Sequence, residues 1–457
     1  DRNFLEQYFE SEWDEQKDQT TGLELKRIVD NSSWNLNADF RLNDFFTQTE
    51  WLKLDHFWIG QPLMGDRLTW FEHSHVGYAR QDAADPPTDP ADAPFQLLPY
   101  EGSFEGERAA TRQEIDLPLN AGPFKIVPYA LGELAHWGET LDGDDEQRAY
   151  GQLGIRASLP MWSIDPTIES HLFNVHGVAH KMVFDAQLEY TDASDNLEDF
   201  PLYDEIDDDS IQAFRRRFST NTFGPFGGPP VPQRFDERFY AVRSGLQGWV
   251  TGPTEIVDDL AALRLGLRQR WQTKRGLPGQ RRIIDWITLD TEAVIFDEND
   301  NFGENLGMAD YDFQWHVGDR VTLVSDGSMD FFEDGQRQFS IGAFLSQPPR
   351  GNIYFGFHSL EGPIHSNVLS TSFVYRMSPK WISSFGTSFD LSAENIGQHI
   401  GLTRVGESFL ITMSAKVDTG RDDVGLTFLV EPRFLALGLG ARPRGIQLPV
   451  AGQFGLE

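Results

Sequence analysis

From Trp34 to Asn43 apolar and polar residues alternate without a break, and no other feature of the chain constrains its fold as strongly. Successive side chains of a β-strand point to opposite faces. Trp34, Leu36, Ala38, Phe40 and Leu42 therefore line one face, and Asn35, Asn37, Asp39, Arg41 and Asn43 the other. The pattern returns where Met182, Phe184, Ala186, Leu188 and Tyr190 alternate with Lys181, Asp185, Gln187 and Glu189. It returns again where Ala261, Leu263, Leu265 and Leu267 alternate with Arg264, Gly266, Arg268 and then Arg270. Repetition to the end of the chain predicts one long antiparallel sheet, apolar on one side and polar on the other. The closed form of such a sheet is an all-β, large antiparallel transmembrane β-barrel, here of roughly 20 to 26 strands.

Composition agrees with that expectation. No apolar run among the 457 residues approaches the ~18 needed for a membrane-spanning helix. Aromatics make up 13%, with 35 Phe and 12 Trp, which suits aromatic girdles at two membrane interfaces. A net charge of −33 argues against nucleic acid, whose phosphates require a basic surface. The absence of cysteine excludes a disulfide scaffold and thiolate-ligated metal. The chain opens without a basic and then apolar leader, so an exported protein would be represented here by a mature fragment.

Strands are expected at Leu23–Val29, Trp51–Ile59, Leu68–Arg80, Phe124–Trp137 and Arg148–Leu159, and convincing helices almost nowhere. Further strands follow at Phe339–Leu345, Ile353–Leu360, Leu369–Met377, Trp381–Leu391, Phe409–Val417 and Val424–Phe434. The organisation expected is an acidic lead-in over 1–20, a barrel over 21–434 and a tail over 435–457. Two long loops interrupt the barrel, at about 81–107 and 192–233. Prolines 86, 87, 90 and 94 cannot donate ladder hydrogen bonds, which marks the first. The second carries an acid cluster from Asp204 to Asp209, the basic Arg215–Arg217 and a Gly/Pro run from Gly224 to Pro232. A sandwich or propeller would also alternate. Strands of ten or more residues and charged residues in mid-strand favour the barrel.

Three segments resemble the barrel of the lipopolysaccharide-assembly protein LptD family, also called organic solvent tolerance proteins. They are Arg41-Leu42-Asn43-Asp44-Phe45, Val178-Ala179-His180-Lys181 running into Leu188-Glu189-Tyr190-Thr191, and Phe200-Pro201-Leu202-Tyr203-Asp204. The resemblance implies an outer-membrane barrel that receives lipopolysaccharide from a periplasmic bridge protein. It implies release into the outer leaflet through a lateral gate between the first and last strands, with a lipoprotein partner plugging the lumen. Leu23 and Leu25 would stand on one side of that gate, and Val424, Leu426 and Pro432 on the other. The chain departs from the family in lacking its periplasmic jelly-roll domain and its cysteines, and in not ending on an aromatic strand.

Transport requires no nucleophile, general base or cofactor, so no enzyme is expected. The residues expected to face the lumen are Arg264, Arg268, Arg270, Lys181 and Asp185. The arginines could meet phosphates, since guanidinium binds them bidentately, or simply pair with lumenal carboxylates. His73 and His75 are two apart and share a strand face, as a metal pair would need, but the sequence shows no third ligand. His171, His176 and His180 form a looser group, and Asp297–Gly303 departs from a calcium loop in the position of its glycine. Two alternatives to lipopolysaccharide transport follow: another outer-membrane channel, or a secreted β-rich glycoside hydrolase using paired acids.

Overall fold

The structure, a computed structural model, describes residues 21–42, 47–85, 100–203 and 233–432, apart from 278, 334, 349, 363–364, 392–394 and 420–422. The lead-in 1–20, the tail 435–457, Phe434, Asp44, Phe45 and the charge clusters from Asp204 to Arg217 lie outside the described residues. Twenty strands are described. The first nine are β1 (Thr21–Val29), β2 (Ser32–Phe40), β3 (Gln48–Leu63), β4 (Leu68–Asp82), β5 (Phe104–Asp116), β6 (Leu119–Ala121), β7 (Phe124–Trp137), β8 (Glu146–Ser170) and β9 (Val175–Ala193). After the second long connection come β10 (Leu260–Arg275), β11 (Arg282–Phe296), β12 (Leu306–His316), β13 (Val321–Asp330), β14 (Arg337–Gln347) and β15 (Gly351–Glu361). The last are β16 (Ser366–Ser378), β17 (Trp381–Asp390), β18 (Asn395–Val405), β19 (Phe409–Asp418) and β20 (Asp423–Pro432). One α-helix, α1 (Glu237–Arg243), is described. The chain divides into two units, one of residues 1–159, 185–264 and 294–307, the other of 160–184, 265–293 and 308–457.

In the second unit the alternation becomes a two-faced sheet. Each strand from β12 to β20 pairs antiparallel with the next. Following the register across eight strands gives the row Val321, Leu345, Ile353, Phe373, Phe385, Ile400, Ala415 and Leu426. One residue along, on the opposite face, the row reads Phe344, Tyr354, Ser372, Gly386, His399, Lys416 and Gly425. Aliphatic and aromatic side chains on the first face stand open: Ile400 is 60% exposed and Leu426 85%. The second face is built largely of Ser, Gly, Thr and His, and its hydrogen bonds run across strands, as from Ser340 Oγ to His358 Nδ1 at 2.9 Å. Glycines on these faces make room for rings. A Cβ on Gly342 would lie 2.7 Å from the Tyr354 ring, and one on Gly327 would lie 2.5 Å from that of Tyr311.

The first unit pairs β1 with β2, β2 with β3, β3 with β4, β4 with β5, β5 and β6 with β7, and β7 with β8. Its outer face carries exposed Leu52, Val76, Leu134 and Leu153. Towards one end this face becomes polar and aromatic. Trp34 lies 4.4 Å from the His56 ring, and Trp58 lies 6.1 Å from Trp70, whose Nε1 donates to Gln113 Oε1.

The structure corrects several expectations. Pairing does not wait until Phe124 after the first long loop, because β5 begins at Phe104. Both faces of β5 carry charged residues, so it lacks the alternation that marks its neighbours. β8 continues to Ser170, well beyond Leu159. The second long connection does not end at 233: the next strand starts only at Leu260, and the described part between them is folded.

Candidate functional site

The site of the first unit forms where that connection lies against the inner face of the strands. Residues 233–259 run through a 3-10 turn (Gln233–Phe235), α1, and a second 3-10 turn (Leu246–Gly248). Asp236 starts α1 by accepting a hydrogen bond from the Arg238 backbone N–H, satisfying a donor the first turn would leave unpaired. Phe235, Ala241, Val242 and Ile256 then pack on Tyr100, Leu197, Leu202 and Leu260. Phe200 and Tyr203, from the passage used for the family resemblance, cover Trp51, Ala79 and Trp137.

Beneath this apolar cover lie three arginines whose side chains are wholly buried, Arg108, Arg112 and Arg148. A buried guanidinium is tolerated only when paired and hydrogen-bonded. Arg108 donates to Glu255 Oε1 at 3.0 Å and to Thr254 Oγ1, and its guanidinium lies 3.7 Å over the Trp137 ring. Glu133, also wholly buried, takes the other two: Arg112 Nε donates to Oε2 at 2.7 Å and Arg148 Nη2 to Oε1 at 2.8 Å. Two of these arginines also reach the connection's backbone. Arg112 Nη1 donates to Trp249 O at 2.7 Å, and Arg148 Nη2 to Thr254 O. The connection is therefore fastened to β5 and β8 by charge-assisted hydrogen bonds, the strong class.

Of the expected lumen residues, Arg264 and Arg270 are paired. Arg264 Nε donates to Glu189 Oε1 at 3.0 Å and its Nη2 to Arg243 O at 2.7 Å. Arg270 grips Asp290 with two bonds of 2.6 and 2.7 Å. Lys181 is exposed on β9, and Asp185 is half-buried two pairs further along the same strand face. Leu23 and Leu25 are exposed on β1, Val424 and Leu426 on β20, and Pro432 is the last residue of β20, opposite Phe409. His171, His176 and His180 do not form a ligand group among the described residues, and Asp297 caps a 3-10 turn over Glu298–Asp300. The buried arginines and their carboxylates escaped the sequence reading, since Arg108 and Glu255 are 147 positions apart.

Where the connection rejoins the strands, Asp258 is held at a pKa of about 6, first by burial and then by the neighbouring charges of Asp259, Glu198 and Asp300. A carboxyl raised in the folded state binds its proton more tightly folded than unfolded. It therefore lowers stability progressively as pH rises from about 4 to 6, with the full cost above pH 6. Asp258→Asn is expected to raise stability by about 1–3 kcal/mol at pH 8 and to change little at pH 4. Denaturant titrations at the two pH values check this; an equal effect at both would refute the assignment.

No family model and no curated protein matches the chain. Among solved structures it is similar to variants of the Rhodopseudomonas blastica porin. One is 9% identical over 71% of this chain and 91% of the porin, with a TM-score of 0.26. Another is 8% identical over 71% of this chain and 91% of the porin, with a TM-score of 0.26. A chain described under "Asymmetric conductivity of engineered proteins" is 9% identical over 79% of this chain and 98% of its own length, with a TM-score of 0.25. Likeness this low leaves the architecture to be argued from the strands themselves.

Proposed function

We propose that the chain is an outer-membrane β-barrel whose polar face lines a water-filled path, narrowed in the first unit by the chain's own connection. The observation that carries this reading is the apolar row from Val321 to Leu426, which crosses one face of eight strands with Leu345, Ile353, Ile400 and Leu426 exposed, while the other face is built largely of Ser, Gly, Thr and His. Water penalises such a face, and lipid accepts it. The tryptophans at one end of the first unit's outer face suit the headgroup level. Passive permeation is favoured over receiving a lipoprotein plug, because residues 233–259 already occupy the first unit's polar face. The lipopolysaccharide reading keeps one supporting observation, that every residue of β1 is exposed, as an opening edge strand would require.

The test is conductance of the folded protein in planar lipid bilayers. Stepwise ion currents are expected, and replacing residues 234–257 by a short Gly/Ser linker should enlarge each step. A mobility difference between unboiled and boiled samples in SDS gels controls for folding. Folded protein that conducts neither with nor without the connection would reject the channel.

A further inference from the structure

His73 and His75 share the inner face of β4, and the third ligand that the sequence did not reveal lies across the ladder. Asp55 of β3 is the direct cross-strand partner of His75. Period-two geometry puts His73 on the same face, one pair further along. One ligand atom from each of the three residues lies within 4.8 Å of the others, and His73 Nε2 is 3.0 Å from Asp55 Oδ1. The group is preorganised: Asp55 is 3% exposed, and the His73 ring stacks on Phe57 at 4.2 Å and 9°.

The adjoining strand adds a second, independent observation. Asn35 is the β2 partner of Asp55, and Ser33 the partner of Phe57, so both share this face. Asn35 Oδ1 and Ser33 Oγ are buried without a hydrogen-bond partner among the described residues. Buried oxygens in that state carry a cost, and a bound cation with its water relieves it. The neighbouring cationic side chains are engaged elsewhere. Lys53 Nζ sits 4.7 Å over the Trp51 ring, Arg108 pairs with Glu255 and Arg112 with Glu133.

We propose that Asp55, His73 and His75 form a binding site for a divalent first-row transition metal of the zinc class, with the Asn35 amide oxygen beside it. Two imidazoles and one carboxylate suit Zn²⁺, Ni²⁺ or Co²⁺ and not Ca²⁺ or Mg²⁺, which require mostly oxygen ligands. A bound ion would tie β3 to β4 on the inner face. The assignment does not rest on the channel reading, because binding is measured without conductance.

The experiment titrates Zn²⁺ into the full chain, folded in detergent and stripped with chelator, against a chromophoric competitor, with Co²⁺ absorption as a second readout. One ion per chain is expected. His73→Ala and His75→Ala should each weaken binding at least about 100-fold, and Asp55→Asn about 10- to 100-fold. His56→Ala, at the paired His56–Glu72 site on the opposite face, should leave affinity unchanged. Heat-dependent gel mobility confirms that each variant is folded. Absence of stoichiometric metal in the parent, or undiminished binding by folded His73→Ala and His75→Ala proteins, overturns the assignment.

Discussion

Replacing Glu133 by alanine is expected to cost about 3–5 kcal/mol and to free the connection from the strands. The carboxylate accepts from two wholly buried arginines, so its removal leaves both guanidiniums out of water without a counter-charge. Arg112 and Arg148 also hold the carbonyls of Trp249 and Thr254, so their rearrangement should be transmitted to the connection. Glu133→Gln keeps acceptor capacity and should cost less. Adding Arg148→Met to Glu133→Gln should recover stability, since it removes one of the stranded charges. Denaturant midpoints in detergent measure the energies, and limited proteolysis over residues 233–259 measures the release. A Glu133→Ala protein within about 0.5 kcal/mol of the parent and equally protease-resistant would contradict the role given to this residue.

The second large effect separates two adjacent residues. Ile400→Arg should disfavour folding into lipid vesicles by about 2–4 kcal/mol, the cost of arginine on a lipid-facing strand near the bilayer middle. His399→Arg, one position earlier on the polar face, should fold nearly as the parent does. Ile400 stands exposed near the centre of β18 in the apolar row, whereas His399 stands in the row of Tyr354, Ser372 and Lys416. The folded fraction is read from the unboiled gel shift after refolding into vesicles. If both variants fold equally well there, or if Ile400→Arg merely improves solubility in plain buffer, the apolar face does not meet lipid.

The strands were legible because their code is local. Period two needs only a few neighbours, and for Phe124–Trp137 it gives the observed bounds of β7. β5 was invisible because Arg108 and Arg112 fill its inner face and Glu107, Thr111 and Gln113 its outer one. Its charges are satisfied by partners such as Glu133 and Glu255, far along the chain. The folded connection beyond 233 carries no local signature, because a seven-residue helix is too short to display a 3.6-residue period. His73 and His75 could be singled out from spacing alone. Asp55 could not, because only the β3–β4 register brings it opposite His75.

Alternation has a blind spot that the rings over glycine remove. A slip of one residue turns every apolar side chain to the wrong face and penalises itself, but a slip of two restores the pattern. Tyr354 lies against Gly342, which is flanked on the same face of β14 by Ser340 and Phe344. Sliding β15 by two would drive the ring into one of those side chains. Tyr311 and its cross-strand partner Gly327 do the same for β12 and β13, since Ser325 and Met329 flank that glycine. Such pairs act as indexing marks: they distinguish the one alignment of a nearly periodic sheet from neighbours that hydrophobicity alone would accept.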